Sequence, residues 1–147
     1  MESFLFLDGE ALGREFISRS LFYGEGLFET FRWKSSPPVF LDAHIERMKD
    51  GSQVLKIPFP GKEKIKENVR EAVDKSGVED AYVKVCLLST GDLKFDGRAD
   101  EERILVVVRK YEMPKKYVKA HVASFRRSSS SPTLRIKCTN YLENILA

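Results

Sequence analysis

The sequence predicts an α+β fold in which an antiparallel sheet and two helices form a small N-terminal domain. Three observations carry that expectation. Strand-like and helix-like runs are segregated along the chain, which disfavours a wound parallel sheet. Two helical patterns stand back to back near the middle, from Asp42 to about Leu55 and from Lys62 to Ser76. A serine-rich stretch from Arg126 to Pro132 then separates all of this from one new helical start.

Phe4 to Leu7 is a short apolar run, and Asp8-Gly9 after it signals a turn, so the two open a hairpin. Ile17 to Tyr23 is expected as a second strand. Gly24 and Gly26 interrupt it, and Leu27 to Trp33 resumes the pattern. Leu27, Glu29, Phe31 and Trp33 fall on one face of that run; Phe28, Thr30 and Arg32 fall on the other. Pro37-Pro38 breaks the chain before a brief strand, Val39 to Leu41. Asp42 is suited to cap the first helix. The buried stripe of that helix is Ile45, Met48 and Leu55, with Gly51 as a weak point. Pro58 and Pro60 close the region. The second helix carries Ile65, Val69, Ala72 and Val73 at helical spacing, and Gly77 is placed to end it. Ala81 to Leu88 alternates Val83, Val85 and Leu87 against Tyr82, Lys84 and Cys86. Gly91-Asp92 turns the chain. Ile104 to Val108 is almost continuously apolar, as in a strand covered on both faces. Tyr117 to Phe125 alternates again and is expected as a strand. Thr139 is expected to cap a helix beginning at Asn140.

Composition narrows the function classes. The chain has 147 residues, 42% hydrophobic and 32% charged, which is enough apolar material for a core and argues against disorder. A net charge of +3 is too small to mark a nucleic-acid binder without clustering on one face. Cys86 and Cys138 have no metal-type spacing, and Met1 to Phe4 has no basic, apolar leader pattern. A cytoplasmic protein with reduced thiols is expected. No apolar run approaches the ~18 residues of a membrane helix.

Few residues carry chemistry. Lys137 is one of 14 lysines, so a solvated surface charge is its default role. Its neighbours Leu134, Ile136, Tyr141 and Leu142 raise another possibility. An amine in apolar surroundings loses solvation, which favours the neutral form needed to attack an aldehyde. The Gly24-Glu25-Gly26 turn fits a bulge or tight turn between strands and lacks the dinucleotide fingerprint. Arg47 lies three residues after His44, so the two share a helix face. At the edge of a core, a guanidinium suits bidentate contact with a phosphate; from spacing alone, an exposed pair with Glu46 or Asp50 fits as well. Arg126-Arg127 and the serines after them could meet an anion or form a solvated loop.

Taken in order, these pieces resemble the class IV (fold-type IV) pyridoxal-phosphate enzymes. That family holds branched-chain and D-amino-acid aminotransferases and aminodeoxychorismate lyases. Asp8-Gly9 is similar to the family's opening hairpin. Tyr23-Gly24-Glu25-Gly26-Leu27-Phe28-Glu29 through Arg32 resembles its Y-G-D-G-x-F-E-x-x-R signature, with Glu25 for the usual aspartate. His44 to Met48 is similar to its H-x-x-R-L helix, and Ile136 to Asn144 to its Schiff-base lysine segment. The resemblance implies that Lys137 binds pyridoxal 5'-phosphate and moves a proton at the substrate's α-carbon. It implies that Arg47 grips the cofactor phosphate and that Phe28 and Arg32 line the substrate side.

The resemblance also implies what is missing. The family's glutamate facing the pyridine nitrogen lies about thirty residues beyond the lysine, and later amides bind the phosphate. The chain is therefore expected to be a fragment, inactive alone. Residues 1–125 would be the N-terminal α+β domain, 126–133 an interdomain loop, and 134–147 the beginning of a truncated cofactor-binding domain. Thr90 stands where several relatives place an arginine for a substrate carboxylate. The expected activity is amino transfer between an amino acid, a branched-chain one among the candidates, and a 2-oxo acid, in a homodimer. The alternative within the family is an aminodeoxychorismate lyase releasing pyruvate and 4-aminobenzoate. The alternative outside it is a non-enzymatic α+β module that meets an anionic partner through Arg126-Arg127.

Overall fold

A three-stranded antiparallel sheet in the order β3-β4-β5 carries the fold, with two helices packed on one of its faces. The computed structural model describes residues 6–11 and 18–147. A short hairpin, β1 (Phe6–Leu7) and β2 (Glu10–Ala11), turns at Asp8-Gly9, where both residues take positive φ. Phe4, Leu5 and Ile17 lie outside the described residues.

Residues 19–23 correct the expected second strand: α1 (Arg19–Tyr23) is a helix. The Ser18 hydroxyl accepts from the Leu21 amide at 3.2 Å, and Gly24 ends the helix at φ 68. A cap and a stop with five residues between them decide the conformation locally, over the apolar run they enclose.

The sheet follows: β3 (Gly26–Lys34), β4 (Asp80–Gly91) and β5 (Ala99–Lys110). Leu27 pairs with Leu87, Phe28 with Cys86, and Cys86 with Leu105. Period-two alternation therefore sorts the sheet into two faces. Leu27, Phe31, Trp33, Ala81, Val83, Val85 and Leu87 point at the helices and are buried. Phe28, Arg32, Lys84, Cys86, Leu105 and Val107 lie on the other face. The sheet departs from expectation at β5. Leu105 is 47% and Val107 41% exposed, so this edge strand is covered on one face only.

Helices α2 (Leu41–Leu55) and α3 (Lys62–Ser76) bury Leu41, Ile45, Met48, Ile65, Val69 and Val73 against the sheet. Gly77 ends α3 with φ 66, as its lack of a Cβ allows. Gly51 is a packing device, not a weak point: a Cβ there would stand 2.8 Å from Leu27 Cδ2. Val39 and Phe40 are an exposed turn, not a strand; the Phe40 carbonyl accepts from the His44 amide at 3.1 Å and starts the helix. Asp42 sits inside the first turn and reaches Lys66 Nζ at 2.7 Å, joining α2 to α3.

Residues 117–125 form no strand. Val118 and Val122 are exposed, and alternation without a partner edge makes no ladder. A 3-10 turn spans Pro132–Arg135, and a last helix, α4 (Leu142–Leu146), starts two residues later than expected. No helix of the described residues is long and apolar enough to cross a membrane.

Candidate active site

The Gly24-Glu25-Gly26 turn and the Lys137 segment are built on each other. The Phe28 amide donates to the Lys137 carbonyl at 2.9 Å, and the Thr139 amide donates to the Gly26 carbonyl at 2.8 Å. Leu27 pairs with Cys138 as an antiparallel bridge between them. Thr139 is thus engaged by the turn and does not cap a helix; its Oγ1 also donates to the Gly24 carbonyl at 3.0 Å. The glycines are required in place. Gly24 has φ 68, and a Cβ on Gly26 would meet Ser20 Oγ and Thr139 Oγ1 at 2.9 Å.

The register then aims the side chains. Cys138 turns inward beside Leu27 and is buried. Lys137 turns to the open face beside Phe28, and its Nζ lies 4.4 Å from the centre of that ring and 5.7 Å from that of Tyr141. Tyr141 meets Phe28 edge-on at 5.2 Å. Lys84 Nζ reaches the same Phe28 ring at 4.5 Å. Among the described residues Lys137 has no ion-pair partner. The amine is half-buried on aromatic faces, an arrangement that holds it without capping it with a carboxylate.

Arg47 lies on the other side of β3. It grips Glu29 through Nε at 2.7 Å and Nη2 at 2.6 Å, and His44 Nδ1 contacts the same carboxylate at 2.7 Å. Glu29 is 1% exposed, whereas the Arg47 side chain is 54% exposed. This pair replaces the expected contacts of Arg47 with Glu46 or Asp50. The hydrogen bonds to Glu29 hold the Arg47 guanidinium above its usual pKa. Arg47 and Lys137 therefore address adjacent residues, Glu29 and Phe28, from opposite faces of one strand. Arg32 shares the open face with Phe28 but is engaged elsewhere. It binds Asp80 in a fork at 2.7 and 2.6 Å and stacks 4.2 Å over Tyr111. Arg127 is paired with Glu143 at 2.9 Å.

Two engagements escaped the sequence reading, those of Arg19 and Glu29. Arg19, 2% exposed, holds Glu25 through two 2.7 Å hydrogen bonds. No periodicity announces it. Glu29 did leave a signal: a carboxylate on the core face of an apolar strand needs a cation from the element packed over it. Thr90 Oγ1 is buried and has no hydrogen-bond partner among the described residues. By alternation Thr90 shares the open face with Cys86. Burial raises the Cys86 thiol above its ordinary 9.0 and keeps it unreactive.

Residues 26–147 match the Amino-transferase class IV family, and the chain belongs to that family. Aminodeoxychorismate lyase of Bacillus subtilis is 32% identical over 132 residues, 85% of this chain and 45% of that protein. A putative branched-chain-amino-acid aminotransferase of Methanocaldococcus jannaschii is 28% identical over 151 residues, 97% of this chain and 51% of that protein. A putative 4-amino-4-deoxychorismate lyase from Legionella pneumophila superposes with a TM-score of 0.81 at 28% identity, over 89% of this chain and 50% of that one. The α+β fold is that of the family's N-terminal domain. The chain spans about half the length of the relatives it matches.

Proposed function

We propose that this chain supplies the lysine-bearing part of a pyridoxal-phosphate-dependent aminotransferase, acting between an amino acid and a 2-oxo acid. The observation that carries this is the pairing of the Lys137 segment onto β3, which fixes Nζ 4.4 Å from the Phe28 ring. An amine restrained in this way is suited to bond an aldehyde carbon, with water leaving. Once the substrate's own amine had displaced it from that carbon, the freed Lys137 amine would be placed to move the proton at the substrate's α-carbon. Pyridoxal phosphate, when bound, supplies an electron sink. Arg47 is the phosphate candidate that the resemblance supplies, although it stands across β3 from Lys137: Glu29 orients its fork, and Nη1 makes no hydrogen bond among the described residues. Phe28 forms one wall of the substrate side, beside the Lys137 amine. A substrate contact by Arg32 requires release of Asp80.

In this reading residues 1–125 are one domain, 126–133 link it onward, and 134–147 open the cofactor domain. The working form is a cytoplasmic homodimer whose substrates are small molecules, with the present residues inactive alone. A second reading, aminodeoxychorismate lyase, is favoured by the 32% identity to the Bacillus subtilis lyase and the TM-score of 0.81 to the Legionella protein. The full-length protein is incubated with pyridoxal phosphate, reduced with borohydride and mapped. Modification at a lysine other than Lys137 overturns the assignment. Pyruvate release from aminodeoxychorismate without an acceptor selects the lyase; 2-oxo-acid-dependent amino transfer selects the aminotransferase.

A further inference from the structure

We propose that Arg19 is a positioning residue for Lys137, acting through Glu25 and the glycine turn; this rests on Lys137 being the cofactor lysine. Arg19 is nearly sealed from solvent, and its three guanidinium nitrogens are all engaged. Nε and Nη2 hold the two oxygens of Glu25 at 2.7 Å. Nη1 donates to the backbone carbonyls of Asp92 and of Lys94, the latter at 2.8 Å. The β4–β5 connection and the turn are thereby fastened to one side chain. A planar fork can do this and an ammonium cannot, because the two carboxylate bonds and the carbonyl bonds come from fixed directions.

From Glu25 the connection continues through the backbone. The Glu25 carbonyl accepts from Ser20 Oγ at 2.6 Å and Ser89 Oγ at 2.5 Å. The carbonyls on either side, of Gly24 and Gly26, accept from the hydroxyl and the amide of Thr139. Two residues before Thr139 is Lys137, whose carbonyl is held by the Phe28 amide. Each carbonyl of the turn is thus committed, two of them to the Lys137 segment. If Glu25 swings out, the turn rotates and the Thr139 contacts go with it. Lys137 then loses the register that sets its amine on Phe28. Misplacement of a reacting group by about 1 Å costs up to ~100-fold in rate.

The test uses full-length protein carrying Arg19→Lys and Arg19→Gln. Two readouts are taken: hydrogen exchange at the Phe28 and Thr139 amides, and borohydride-trapped pyridoxal phosphate on Lys137 at a subsaturating concentration. In Arg19→Gln both amides should exchange about tenfold faster relative to Val83 in the centre of β4, and trapping should fall about tenfold per folded molecule. Arg19→Lys should lie between Gln and wild type in both. Should Arg19→Gln not fold, Arg19→Lys is read alone. The proposal is overturned if the two amides keep wild-type protection relative to Val83, or if trapping is unchanged in a variant whose amides open. If wild type itself is modified away from Lys137, the functional reading falls. Exchange at the two amides then still decides whether Arg19 holds the segment in place.

Discussion

The Phe28 amide donates to the Lys137 carbonyl at 2.9 Å, so a ring and an amine 109 residues apart in sequence leave the backbone side by side. This bond and that of the Thr139 amide to the Gly26 carbonyl set their register, and the antiparallel bridge of Leu27 with Cys138 between them sends the two side chains to the same face.

Replacement of Phe28 should separate packing from ring chemistry. Phe28→Ala is expected to cost about 3 kcal/mol, as large-to-small changes at buried rings do. Phe28→Leu keeps most of the volume and loses the ring's contact with the amines, a loss of about 1 kcal/mol. Urea midpoints give the stabilities. Trapping of pyridoxal phosphate at Lys137 should fall in both variants and remain lower in Ala.

Arg47→Met should expose the dependence of Glu29 on its partner. The carboxylate would stay buried with only His44 beside it, and unpaired buried charges cost about 3 kcal/mol. The double variant with Glu29→Met should recover most of that loss, since two apolar residues leave no charge stranded. A cofactor readout separates the phosphate role: trapping of pyridoxal phosphate should weaken in Arg47→Met, while trapping of pyridoxal, which lacks the phosphate, should not.

Gly51→Ala sets two effects against each other. Helix propensity alone would stabilise by about 1 kcal/mol. The new Cβ, however, lands 2.8 Å from Leu27 Cδ2, and Leu27 is 1% exposed with nowhere to retreat. Overpacking of this kind costs about 1–3 kcal/mol. Net destabilisation is expected, with recovery when Leu27→Val is added. A more stable single variant would show that the helix yields instead.

The Arg32–Asp80 pair should appear in acid. Arg32 holds the Asp80 carboxyl below its ordinary 3.8, so the folded state binds that proton less readily than the unfolded chain does. The stabilisation is present above 3.8 and disappears as pH falls through the lower folded value. The difference in stability between wild type and Arg32→Gln should therefore be constant near neutrality and shrink below that point. A difference that grows in acid would contradict the pairing.

The helices and the central strands could be read from periodicity because each buries one face. Ile65, Val69 and Val73 recur at the spacing of a helix on a sheet, and Leu27 to Trp33 alternates as a strand does. Errors fell where local capping or tertiary partners decide. Ser18 and Gly24 turned an apolar run into a helix, and residues 117–125 alternate without an edge to join. Of the candidate site residues, Lys137 and Phe28 stand together on one face of β3. Arg47 does not share their face, because Glu29 holds it on the helix side. Alternation put that carboxylate on the face of Leu27, Phe31 and Trp33, yet spacing alone did not name Arg47 as its partner.

The backbone of Lys137 to Thr139 also closes the outer rim of β3. A strand rim with bare amides and carbonyls invites pairing with other chains. A chain cut before Lys137 would uncover the Phe28 amide and the Gly26 carbonyl together. Such a truncation would lose its candidate reactive amine and become adhesive in the same stroke.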